Sequence, residues 1–113
     1  MPRYALHALA AAAAALTFAV PAAHASEARD TAAGLPLAKA DACFTCHAVS
    51  GAKIGPSFTD IAKKYAGKPE DDAEKSVEAG IKDGVKGTMM MAHPSISAGD
   101  LDKIADWILS LSK

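Results

Sequence analysis

Aromatic residues make up only 5% of this 113-residue chain, and it holds a single tryptophan and just two cysteines. Two cysteines exclude a framework of several disulfides. Cys43 and Cys46 lie three apart, so a bridge between them would be the tight, redox-active kind and not a structural staple, whose benefit grows with loop length. No sign of charge dominates: the formal net charge is −1. Without a clustered basic face, the chain has no footprint for nucleic acid. The acids at Glu70-Asp71-Asp72 and Glu74 and the pair Lys63-Lys64 read as solvated helix faces. No stretch alternates apolar and polar residues with β-branched side chains, which excludes a sheet. Internal repeats are absent as well.

The one long apolar run is alanine-dominated and stretches from Ala8 to Val20, 13 residues, short of the ~20 that a bilayer requires. Arg3 precedes it, Pro21 ends it, and Ala23-His24-Ala25 has the small-x-small cleavage pattern. Residues 1–25 therefore read as a secretory signal peptide, an uncleaved anchor being the alternative, and cleavage after Ala25 leaves one domain, residues 26–113. That mature chain has 88 residues and a net charge of −2. A chain this small buries too little surface to be comfortable alone and needs a staple, a metal or a cofactor.

The clear periodicities are helical. A first segment from about Leu35 to His47 takes Pro36 as an opening helical residue, where its missing N–H costs nothing. Phe58, Ile61, Ala62 and Tyr65 give a short helix with i, i+3, i+4, i+7 spacing. A third segment, about Pro69 to Ile81, has acids in its first turn, as the helix dipole favours. The last helix, Ala98 to Leu111, opens with the capping sequence Ser97-Ala98-Gly99-Asp100 and carries Leu101, Ile104, Ile108 and Leu111 on one stripe. Residues 48–56 and 83–96 read as loops.

Against this background stands Cys43-Phe44-Thr45-Cys46-His47, a C-x-x-C-H motif whose spacing predicts covalent attachment of one haem c. The two thiols can reach two vinyl groups on one porphyrin edge, and His47 then lies under the ring as an iron ligand. Zinc would need further ligands, and beyond the cysteines the mature chain offers only His47 and His93. A thioredoxin-like pair belongs beside a βαβ pattern, which is missing. The second iron ligand is expected from Met89-Met90-Met91, although methionines also serve as simple gap fillers. A thioether favours ferrous iron and raises the potential. His93, the other candidate, reads better as a loop residue near the haem edge. A backbone carbonyl at Gly55-Pro56 is spaced to accept the other ring N–H of His47 and fix its orientation. Phe58 and Ile61 are expected to line the pocket. Trp107 either packs the last helix on the first or reaches a propionate through its indole N–H, and Tyr65 has the same two readings.

At this point the chain resembles the short bacterial class I cytochromes c. The matching residues are Cys43 to Ala48, Ile54-Gly55-Pro56, Asp60 to Gly67, Ile81 to Gly84, the methionine loop, and Asp106 to Leu111. The resemblance implies an all-α fold with about four to five helices around one haem, the N- and C-terminal helices crossing. It implies His47 as the proximal ligand, the Pro56 carbonyl bonded to it, a methionine on the distal side, and Ile61 and Trp107 against the cofactor. It further implies a periplasmic electron carrier, a monomer and not an enzyme, that meets redox partners such as a membrane cytochrome complex or a terminal oxidase or reductase only transiently. Relatives of this size place the ligand methionine between prolines, with Trp-Gly a few residues earlier. Here the neighbours are methionines, and Lys86-Gly87 stands where the aromatic belongs. Counting back from His93-Pro94 selects Met90; counting back from Ser97 selects Met91. Met90 is taken as the ligand, with a looser haem edge and a lowered potential as the consequence. Three alternatives stay open: a haem enzyme or gas sensor with a labile methionine, a subunit of a larger oxidoreductase, and a haem-free thiol redox protein.

Overall fold

The computed structural model describes residues 31–113, so the leader and its cleavage point lie outside the described residues. Among the described residues there are four α-helices and no strand: α1 (Thr31–Ala40), α2 (Phe58–Tyr65), α3 (Glu70–Asp83) and α4 (Ala98–Ser110), with one 3-10 turn at Cys43–Thr45 between α1 and α2. None of these helices is long and apolar enough to cross a membrane.

Two caps start helices by the same device. The hydroxyl oxygens of Ser57 and Ser97 accept the backbone N–H of Asp60 and Asp100, at 3.1 and 3.2 Å, each satisfying one of the donors a helix start leaves open. At its other end α3 stops at Gly84, whose φ of 77° only glycine adopts without strain.

Helix α4 is the centre of the molecule: residues Leu101 and Ile104 to Leu109 are all buried. It packs on α1, α2 and α3. Ala38, Phe58, Ala73, Val77 and Ile81 complete the core from those helices. The crossing with α1 is a backbone contact. A Cβ on Gly34 would lie 2.3 Å from the Lys103 carbonyl oxygen and 2.3 Å from Trp107 Cβ, so only glycine lets the two helices approach this closely. The crossing of first and last helices is thus present, and Trp107 is buried in it.

The first helix differs from its expected form. It is already helical at Thr31, carries Pro36 in its interior, and ends at Ala40, well before the cysteines. Proline removes one i→i−4 bond, but the position it deprives, Ala32, is exposed, so its carbonyl is open to solvent. Ala42 then adopts the left-handed conformation (φ 60°, ψ 22°), which costs a non-glycine residue about 1 kcal/mol and turns the chain off the helix axis.

Candidate functional site

That turn brings the cysteine motif into position. Side chains at i and i+3 eclipse each other in a 3-10 turn, so Cys43 and its C-cap Cys46 share one side. Backbone N–H groups of Cys46 and His47 both donate to the Cys43 carbonyl, at 3.3 and 3.0 Å. Both cysteines are half-buried free thiols. Burial pushes the Cys43 thiol above its ordinary pKa, and the Asp41 carboxylate adds to the push. A redox-active thiol needs the opposite shift, which counts against the haem-free thiol reading.

His47 is buried. Its Nδ1–H donates to the Pro56 carbonyl at 2.7 Å, which fixes the tautomer and leaves Nε2 as the free ring nitrogen. The loop between them is stitched down to allow this. Gly55 N–H donates to the Cys46 carbonyl at 2.7 Å, and Phe58 and Thr59 N–H donate to Ala48 and Val49. The Lys53 ammonium caps the Phe44 carbonyl at 3.0 Å. Glycine is required at 55, because a Cβ there would fall 2.5 Å from His47 Cε1 and 2.8 Å from Nδ1.

Behind the imidazole lies half of the chain's small aromatic stock, Phe44, Phe58 and Trp107. The His47 and Phe58 rings are 5.2 Å apart, Phe58 meets Trp107 edge-on at 5.0 Å, and Phe44 meets Phe58 at 5.4 Å and Trp107 at 6.1 Å. Trp107 thus takes its packing role between α1 and the aromatic group. Ile61 and Tyr65 are half-buried against the same core.

The methionine loop is anchored on the end of α3. His93 N–H donates to the carbonyls of Ile81 and Lys82, at 3.0 and 3.2 Å, and its Nδ1 lies 3.3 Å from the Ile81 oxygen. Val85 N–H reaches the Met90 carbonyl at 3.4 Å. Gly84 passes so close that a Cβ would sit 2.9 Å from the Met90 oxygen and 3.0 Å from Ala92 N. Within this frame the three methionines separate. Met90 is partly buried and packs on the core, whereas Met89 is 83% and Met91 76% exposed. The close approach of Gly84 to the methionine loop and the left-handed turn at Ala42 escaped sequence reasoning. A helix-ending Asp-Gly signals the first; nothing signals the second.

The donor set fits a c-type haem. Two thiols lie on one side of a single turn, a buried imidazole keeps its second nitrogen free, and a thioether is half-buried. Ile54, Val49 and Val85, exposed at 61%, 41% and 44%, add apolar surface.

The Cytochrome c family model matches residues 31–112. Cytochrome c-552 of Hydrogenobacter thermophilus is 37% identical over 78 residues, covering 66% of this chain and 78% of that protein. Cytochrome c-552 of Nitrosomonas europaea is 40% identical over 79 residues, covering 66% and 75%. The crystal structure of the wild-type Nitrosomonas europaea protein superposes with a TM-score of 0.60 at 38% identity, over 68% of this chain and 98% of that one. The class 1 cytochrome MtoD of Sideroxydans lithotrophicus superposes with a TM-score of 0.62 at 32% identity, over 76% and 100%. This chain belongs to the cytochrome c family, as a small class I c-type cytochrome carrying covalent haem c.

Proposed function

We propose that this electron carrier works in the periplasm, with haem c joined to Cys43 and Cys46 and its iron held between His47 and Met90. The cofactor supplies single-electron transfer; the chain supplies a fixed ligand field and an edge for partners. His47 donates through Nε2, and the Pro56 carbonyl on Nδ1 orients the ring and strengthens its donation. Met90 is the methionine whose side chain turns toward the core, with its carbonyl bonded by the Val85 N–H and its backbone close against Gly84. The single observation that carries this reading is the buried His47 with its 2.7 Å bond to Pro56. Were His47 and Met90 both to hold the iron, they would leave no place on it for substrate, in keeping with the family's role as carriers and not enzymes. Trp107 and Ile61 support the cofactor through the aromatic group and α2.

Export by residues 1–25 delivers the chain to its compartment, and N-terminal sequencing of the periplasmic protein is expected to begin at Ser26. The chain, a monomer, meets redox partners transiently on Phe44, Thr45, Ala48 and the methionine loop, through the small interfaces usual for such encounters. The test of ligation is the weak red absorption band of sulfur bound to ferric haem. It is expected in the wild type and in Met91→Leu, and expected to vanish in Met90→Leu. A wild-type protein lacking the band, or binding cyanide at once, would overturn His/Met ligation in favour of a sensor or enzyme.

A further inference from the structure

We propose that Met89 and Met91 form a paired oxidation site that takes up oxygen from peroxide and spares the sulfur of Met90 between them. Methionine inside a core fills gaps, but these two side chains stand 83% and 76% exposed. Neither packs on the core, while Met90 does. In water their apolar stems contribute nothing to packing. What remains is the thioether, the most readily oxidised group on this surface. The loop holds the distinction in place. Thr88 Oγ1 accepts the Met90 N–H at 3.2 Å, and the Val85 N–H donates to the Met90 carbonyl, so the central residue cannot exchange places with its neighbours without breaking those contacts.

The chemistry balances with peroxide as oxidant. Its O–O bond breaks, one oxygen bonds to the sulfur, the sulfur loses two electrons to the peroxide, and one water leaves per methionine oxidised. Two outer thioethers therefore consume two peroxides before the inner one is reached. The sulfoxides so formed are reversible by thiol-dependent reductases. The value of sparing Met90 rests on its reading as the iron ligand; the susceptibility of its neighbours does not.

The experiment is a titration of the haem-loaded protein with hydrogen peroxide, read by peptide mass spectrometry at each methionine and by the red band in parallel. Met89 and Met91 are expected to gain one oxygen each about tenfold faster than Met90, with the band unchanged through the first two oxygens. In Met89→Leu with Met91→Leu, the band is expected to disappear at a lower peroxide dose. Equal rates at all three positions, or loss of the band with the first oxygen, would overturn the proposal while leaving Met90 ligation intact. The expected order of oxidation in a protein that shows no red band would support the oxidation site and overturn the ligation.

Discussion

Gly55 has no side chain, and the geometry of His47, the proposed iron ligand, rests on that. A Cβ would occupy space 2.5 Å from the His47 ring, so Gly55→Ala must push the imidazole away from Pro56. The lost hydrogen bond weakens histidine donation, which stabilises ferric iron less. An upward shift of the reduction potential is the expected outcome, read by redox titration, together with displaced His47 ring resonances. At this scale the sequence was legible wherever chemistry demands a fixed spacing. Cys43, Cys46 and His47 are neighbours along the chain, so their joint position needs only local structure. The choice among Met89, Met90 and Met91 depends on how a loop docks on α3, which no local pattern encodes. Counting from His93 and from Ser97 gave different answers because each count assumes a different anchor. The bonds from His93 to Ile81 and Lys82 make His93 the anchor in the structure.

Among the elements, α1 and α4 set the frame, and Gly34 sets the distance between them. Alanine in a helix gains about 1 kcal/mol over glycine. Here the added methyl would meet the Lys103 carbonyl and Trp107 Cβ at 2.3 Å, and backbone cannot step aside as a flexible side chain can. Overpacking of about 1–3 kcal/mol or more therefore wins, and Gly34→Ala is expected to lower the denaturant midpoint. Helices α3 and α4 meet differently. Glu78 faces Glu74 on its own helix and Asp102 and Asp106 on α4; carboxylate oxygens of Glu74, Glu78 and Asp102 gather within 4.8 Å. Burial, then Asp102 and Asp106, raise the Glu78 pKa. The folded state thus holds this proton more tightly than the unfolded state. Its ionised form costs stability at neutral pH, and that cost fades as pH falls through the raised value. Glu78→Gln is expected to raise the melting temperature at pH 7 and to lose that advantage in mild acid, as thermal melts across pH would show. The boundaries of α2 and the Ser97 cap were readable because period and cap agree. Pro36 misplaced the start of α1, since proline marks a first turn only when nothing else holds the helix. Here the packing of Gly34 and Ala38 against α4 does so.

For the whole molecule, the core is small and the covalent cofactor would complete it. Among the described residues the buried apolar side chains are few and half of them lie on α4, and a chain of this size is marginal without a staple. Replacing Cys43 and Cys46 together with alanine removes the covalent anchor. Much of the helical circular dichroism at room temperature is expected to go with it, or the melting temperature to drop by roughly 20 °C. The composition announced this dependence in general terms. It did not disclose that the few aromatics pool behind His47, because proximity of Phe44, Phe58 and Trp107 is a product of the helix crossing. The methionine loop has a consequence of another kind. Its backbone is hydrogen-bonded to the last turn of α3 at Ile81 and Lys82 and runs close against Gly84, so the sulfur has no position of its own. With Met90 on the iron, fraying at the end of α3 is visible as a change of colour before the molecule as a whole unfolds, and the protein carries its own optical gauge of how firmly one helix end is seated.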